Sequence, residues 1–452
     1  MRDFDLELYA EYLEEAAFLY QQRLSLLRDP EIGWTEIRAF EERLEAHIDG
    51  LVVGGEPALE VCTARAVEGD AGELFAAVCV FCRQRRSNHL SDVLRALDAD
   101  DSAKLVAVSD ALKYELPDEW HSYVVKALAR ANACLTAVLA PVVGYRRMEL
   151  SQVLVQAMSA TPHDVSADIV AALGRNPSAE AAGALARCLS DASAEVRSAA
   201  LVSLLRSESQ DALLTFACSG EVQGWQRIAI GLGGNDAAVP QLISTIETNH
   251  GDRDCVIALG LLGDPKSLQT LYDSLKKPEL AEAAALALDW ITGAHLMEST
   301  FIPEEVREDE LTPRELEAWR ESKKAPVRGD GTAFGQNVTR FSRDKEAWKR
   351  WFREHASTLD PGLRYRNGKP YAPGCLLENL ADQRSDHVIR RYAAEELTIR
   401  YGCDVRFEVD MPVLQQFKAL REISAWIDAN AGRFRPGLWY FAGKPMGRAP
   451  IS

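Results

Sequence analysis

The residues of this chain best suited to chemistry are two cysteines, and their surroundings favour a structural role. Cys79 and Cys82 form a C-x-x-C pair, a spacing used in zinc sites and in thiol exchange. A zinc site needs further ligands, and no second cysteine pair or histidine cluster stands at zinc spacing. The neighbouring Phe75, Val78 and Phe81 indicate a buried helix. We therefore interpret both cysteines as core residues and expect no metal ligands.

The histidines offer no stronger candidate. His47 lies beside Leu44 and Ile48 in a helical pattern, so a histidine that packs between helices is a simpler interpretation than a catalytic one. The other seven histidines are dispersed, and no two are four residues apart, the spacing at which one helix face binds a metal.

Motifs for a nucleophile, a phosphate or a dinucleotide are also missing from the sequence. There is no G-x-S-x-G and no phosphate-binding glycine loop that ends in Lys-Ser or Lys-Thr. The glycines from Gly231 to Gly234 fall at a helix end and not after a strand. We therefore predict a non-enzymatic protein with no catalytic residues and no cofactor.

Aromatic and arginine side chains remain as candidates for binding a partner. In helical repeat proteins the stacked second helices line a concave face, and Trp and Arg often contribute most of the binding energy at such surfaces. For each tryptophan, the alternative is an ordinary contact in the core or between repeats. The predicted partner-binding residues are Arg197, Trp225, Arg227, Trp290, Trp348, Trp351 and Arg390.

The first four of these side chains lie on a repeat in residues 149–293, and Trp348, Trp351 and Arg390 lie beyond it. Leu173, Leu205, Leu232 and Leu262 close successive helical patterns and are 32, 27 and 30 residues apart. Apolar residues within the units recur at i, i+3, i+4 and i+7, and glycine or proline separates the helices. A fixed period of this length is typical of a solenoid built from helical hairpins.

The stretch from Asp191 to Leu201 resembles the second helix of a short HEAT repeat, with an acidic residue followed by Val196-Arg197 and an Ala-Ala-Leu core. Residues 386–401 carry a similar pattern. The resemblance implies an all-α fold, an α-solenoid of short HEAT-like hairpins. We expect an N-terminal helical region (1–147), the repeat array (148–298), a Pro/Gly-rich linker or excursion (299–343) with a short helix at 312–323, and a C-terminal helical segment with a terminal cap (344–452).

The distribution of charge narrows the class of partner. The formal net charge is −17. Residues 1–300 hold 25 Lys and Arg against 45 Asp and Glu, a net charge of −20, whereas residues 301–452 have a net charge of +3. Nucleic acids and anionic membranes need a basic face, so we expect neither as a partner and expect a protein instead. Scattered cysteines, odd in number, and the lack of a visible secretory signal indicate a cytoplasmic protein.

Two stretches carry a closer resemblance. Residues 13–23 with 42–51, and residues 364–370 with 391–397, are similar to an uncharacterised bacterial HEAT-like family associated with type VI secretion loci. The resemblance implies a cytoplasmic accessory, an adaptor or chaperone that binds an effector or a spike component. It supplies no catalytic residues. Two alternatives stay open: an immunity protein that blocks a toxin, and a HEAT-like lyase that acts on a bound bilin chromophore.

Overall fold

The computed structural model describes residues 2–130, 132–160, 166–209, 223–248, 251–322, 325–383 and 385–447. These residues are mostly helical, as the sequence predicts. The helices up to Thr292 are α1 (Arg2–Leu26), α2 (Arg38–Val53), α3 (Gly55–Glu68), α4 (Ala71–Arg83), α5 (Ser87–Ala96), α6 (Ser102–Glu115), α7 (His121–Leu128), α8 (Ala133–Arg146), α9 (Ser151–Ala160), α10 (Ala167–Gly174), α11 (Ala179–Cys188), α12 (Ala194–Arg206), α13 (Arg227–Gly233), α14 (Val239–Glu247), α15 (Arg253–Leu262), α16 (Leu268–Ser274) and α17 (Pro278–Thr292).

These helices form two rows. In row A, helices α4, α6, α8, α10, α12, α13, α15 and α17 pack against one another in turn. Row B consists of α3, α5, α7, α9, α11, α14 and α16, which cover row A, while α1 packs on α2, α3 and α4 at the first end. The leucines that define the period in the sequence, Leu173, Leu205, Leu232 and Leu262, all lie buried in row A. The predicted arrangement of stacked helix pairs is therefore present.

The starts of six of the eight row A helices named above are fixed by short polar side chains. Each such side chain accepts a hydrogen bond from the backbone N–H three residues later, which satisfies one of the free donors of the first turn. The residues that do so are Asp70, Asp101, Asn132, Ser166, Ser193 and Asp252.

Residues 297–341 form a two-stranded arm where the sequence predicts a linker or excursion. Strand β1 (Met297–Pro303) pairs with β2 (Gly335–Phe341) in antiparallel register. Helix α18 (Pro313–Ser322) lies between them, as predicted. The strands were not predicted because a ribbon with little buried surface has no regular alternation of apolar and polar residues.

The C-terminal segment does not continue the two rows, although residues 386–401 resemble the second helix of a HEAT repeat in sequence. Its helices are α19 (Lys345–His355), α20 (Pro373–Ala381), α21 (His387–Tyr401) and α22 (Val413–Ala429).

Residues 364–413, here called the strap, return along the C-terminal ends of row A as far as α1. From α17 to α1, the strap contacts are the Asn367 N–H with the Trp290 carbonyl, Arg364 with the Leu261 carbonyl, Arg400 with the Gly231 carbonyl, Glu395 with Arg206, Glu408 with Arg175, the Asp404 carbonyl with Arg147, Asp410 with Lys113, and the Asp410 carbonyl with Arg23.

The chemistry of helix ends accounts for this path. The last carbonyls of a helix lack partners within the helix and carry partial negative charge. At one end of row A, strap arginines donate hydrogen bonds to these carbonyls. Further along row A, strap carboxylates form ion pairs with arginines at the ends of the helices. The strap therefore ties together helices that are distant in sequence.

Two hairpins of the C-terminal segment share one sequence pattern, x-Pro-Gly-Leu-x-Tyr-x-x-Gly-Lys-Pro. Hairpin A is residues 360–371, with strands β3 (Tyr365–Arg366) and β4 (Lys369–Pro370). Hairpin B is residues 435–446, with β5 (Tyr440–Phe441) and β6 (Lys444–Pro445). In both, the two turn residues have positive φ, which suits the two-residue turn.

Each hairpin caps the end of a helix with its turn. In hairpin A, the N–H groups of Asn367 and Gly368 donate to the carbonyls of Trp290 and Ile291 at the end of α17, at 2.6 and 3.2 Å. In hairpin B, the corresponding N–H groups donate to the last turn of α21, at 2.8 and 2.9 Å. The repeated pattern is thus a device for closing helix ends. Over the described part of the chain, no helix combines the length and apolar character needed to cross a membrane.

Candidate functional site

Two of the predicted partner-binding tryptophans are enclosed in the protein. Trp290 lies in α17 with the guanidinium of Arg366 4.5 Å from its ring centre. Trp348 is completely buried, and its indole N–H donates to the Ser342 carbonyl at 2.8 Å. A partner cannot reach either ring in this conformation. The alternative interpretation of these tryptophans, an ordinary contact in the core, therefore describes both residues.

Two of the predicted arginines are internal as well. Arg390 is buried, stacks on Trp34 at 4.2 Å, and donates to the Leu380 carbonyl and to Gln416 Oε1 at 2.9 and 2.6 Å. Burial lowers the pKa of Arg390 to about 9. Arg227 is buried and forms an ion pair with Asp252. These side chains hold elements together and do not form a binding face.

The three other predicted residues are partly exposed, in two separate places. The guanidinium of Arg197 lies 5.3 Å from the ring centre of Trp225 and donates to the Asp191 carbonyl at 2.6 Å. Trp351 stacks on His355 in α19, with ring centres 4.9 Å apart. Their roles in partner binding stay predictions.

The C-x-x-C pair lies in the core, as the sequence indicates. Cys79 and Cys82 are buried in α4. Burial raises the pKa of Cys82 to about 12, and it raises the pKa of Cys79 well above the usual value. Both therefore carry protonated thiols at neutral pH, the form that does not act as nucleophile or metal ligand. Among the described residues, no three His, Cys, Asp or Glu side chains gather in a way that could hold a metal ion.

We expect Cys79 and Cys82 to resist modification by a thiol reagent in the native protein and to react once it is denatured. The half-buried Cys134 is the internal comparison and should react first. Mass spectrometry of the modified peptides over time would measure the order. Rapid modification of Cys79 or Cys82 in the native state would restore the C-x-x-C pair as a candidate for chemistry.

A groove lined largely by apolar side chains lies in row B. Row B packs helix on helix from α3 to α5 and from α7 to α11, whereas α5 and α7 lie on opposite sides of a groove of about 480 Å³. Leu112 of α6 and Leu139 of α8 form part of its buried floor. Between α5 and α7, the groove therefore opens onto row A.

The walls of the groove are apolar and accessible. Tyr123 of α7 is 53% exposed, and Leu94 of α5 is half-buried. Trp120 and Val124 are buried beneath them. A contiguous apolar surface of this kind marks a binding site more often than an isolated exposed residue does.

The rim of the groove is basic. Arg95, Lys126 and Arg130 line it and are exposed, and the described residues that line it include no carboxylate. Arg95 has an ion pair with Asp92, at 2.8 Å, on the exposed side of α5. Three cations therefore line one apolar groove within residues 1–300, whose net charge is −20. The groove is suited to bury apolar groups and to attract carboxylates.

This groove is not among the sites predicted from the sequence, although the sequence contains a pattern that could indicate it. Tyr123, Lys126 and Ala127 of α7, with Arg130 just after its end, stand at i, i+3, i+4 and i+7 on this side of the groove. An aromatic residue with two cations on one helix face is a usable sign of a binding surface. This pattern indicates a groove only when the separation of α5 and α7 is also known.

Comparison with other proteins adds no relative to this description. No protein-family model matches the chain, and no curated protein matches it at a significant level.

Proposed function

We propose that this protein is a non-enzymatic scaffold that binds a protein partner, and that the groove between α5 and α7 is its binding site. The observation that carries the proposal is the exposed apolar wall at Tyr123, beside a groove that separates two row B helices. The buried, protonated thiols of Cys79 and Cys82 agree with a role other than catalysis.

The partner we propose is a component of type VI secretion, an effector or a spike protein, for which this protein acts as a cytoplasmic adaptor or chaperone. The support for this part is the resemblance of residues 13–23 and 42–51 to a family associated with those loci. In this proposal the strap fixes the relative positions of the row A helices, so that the groove is held in one shape.

Affinity capture from the native cell, with quantitative mass spectrometry, tests the proposal with two matched variants. Tyr123→Glu places a charge on the groove wall, and Phe18→Glu makes the equivalent change at a residue in α1 that is also 53% exposed. We expect the wild type and Phe18→Glu to recover the same secretion component at stoichiometric level, and Tyr123→Glu to recover about tenfold less or none. Equal recovery by all three proteins would contradict the groove as the binding site.

A further inference from the structure

We infer that the groove binds one amphipathic α-helix of a partner protein, with an apolar face towards α6 and α8 and acidic residues along its flanks. This inference rests on the proposed function, because it names the kind of partner that the same site takes. It depends on three properties of the groove: its size, its lack of backbone partners, and its charge.

The size of the groove corresponds to a short helix. Its walls are α5, with ten residues, and α7, with eight. At 1.5 Å per residue these walls are about 12–15 Å long, which is two to three turns of a parallel helix. A helix of that length presents apolar residues at i, i+3 or i+4, and i+7, the pattern by which helices bind in grooves.

The lining of the groove favours a helix over an extended segment. It consists mainly of helical side chains, and the backbone N–H and C=O groups within a helix are mostly bonded to one another, so the lining offers few of them to a strand. An extended peptide would bury unpaired N–H and C=O groups against this surface, which is costly. A helix satisfies these groups internally and can pack its side chains between those of α6 and α8.

The positive charge of the rim favours acidic residues on the flanks of the bound helix. Lys126 and Arg130 stand on the α7 side, and Arg95 stands on the α5 side. Because Arg95 already pairs with Asp92, the α7 side should contribute more of the preference for carboxylates. Exposed ion pairs are individually weak, so they should act mainly through specificity and the rate of association.

Two labelled helical peptides with the same leucine face test the inference on the full-length protein. Each has about 12 residues and a staple that holds it helical, and they differ only in carrying glutamate or lysine on both flanks. Fluorescence anisotropy should show that the glutamate peptide binds at least about tenfold more tightly than the lysine peptide. Its affinity should fall as salt is added.

Variants of the chain identify the site. Lys126→Glu combined with Arg130→Glu should remove the preference for the acidic peptide, whereas the control Lys418→Glu, at an exposed residue of α22, should leave it unchanged. Tyr123→Glu should weaken both peptides. Equal affinities for the two peptides, no binding of either peptide, or a dimer of this chain that Tyr123→Glu dissociates would each overturn the inference. If neither peptide binds but capture of a partner still depends on Tyr123, the proposed function stands and the acidic helix is wrong.

Discussion

Glu396→Gln is expected to lower the free energy of unfolding by about 3–5 kcal/mol, the usual effect of removing one partner from a buried ionic cluster. Glu396 is completely buried in α21. It lies 3.4 Å from Arg366 and 3.3 Å from Arg400, and it accepts a hydrogen bond from the Tyr371 hydroxyl at 2.5 Å. Glutamine keeps the size of the side chain but leaves the buried guanidinium groups without a carboxylate. Urea denaturation followed by circular dichroism would measure the loss.

The cluster contains more positive than negative side chains, and helix ends offset part of the excess. Arg364 is also completely buried, 3.8 Å from Glu396, and donates to the Leu261 carbonyl at 2.8 Å. Arg400 donates to the Gly231 carbonyl at 2.6 Å. These carbonyls belong to the negative ends of α15 and α13. Burial, and next the charge of Arg400, lower the pKa of Arg364 to about 10, so the arginine is still charged at neutral pH and Glu396 is needed.

A matched control for this prediction is Glu378→Gln. Glu378 forms an ion pair with Lys369 at 2.7 Å, and both side chains are largely exposed. Such a pair contributes at most about 1 kcal/mol, so this variant should unfold close to the wild type. If the two variants lost the same stability, the buried cluster would not hold the strap to row A.

The arrangement of stacked helices could be predicted because its signals are local. The spacing from Leu173 to Leu262 records one buried position for each helix pair, and the caps at Ser166 and Ser193 lie within three residues of the groups they bond. These interactions lie between near neighbours in sequence. The periodic pattern of the chain therefore contains them.

The strap could not be predicted in the same way, because its contacts join distant residues. Arg400 bonds carbonyls more than 160 residues earlier in the chain, and Arg390 stacks on Trp34. A tryptophan or arginine with the right helical spacing therefore looks equally suited to a surface and to this internal contact. The hairpin pattern is the exception, since its two copies stand 75 residues apart and are visible in the sequence.

Gly293→Ala is expected to lower the free energy of unfolding by about 2–4 kcal/mol, since it combines backbone strain with a steric clash at the end of α17. Gly293 has a φ of +60°, and an added Cβ would clash with the backbone carbonyl group of Asn367. The turn of hairpin A would then have to move away from α17. Hydrogen exchange should show this locally, as faster exchange of the Asn367 and Gly368 N–H groups that cap the helix.

Gly183→Ala is the control for this last prediction, because it makes the same chemical change where neither cause acts. Gly183 lies within α11, and an added Cβ would meet no atom within 4 Å. Replacing a helical glycine by alanine usually stabilises a protein by about 0.5–1 kcal/mol, so the two variants should shift the denaturation midpoint in opposite directions. A Gly293→Ala protein as stable as the wild type, with unchanged exchange at Asn367, would mean that hairpin A does not depend on the end of α17.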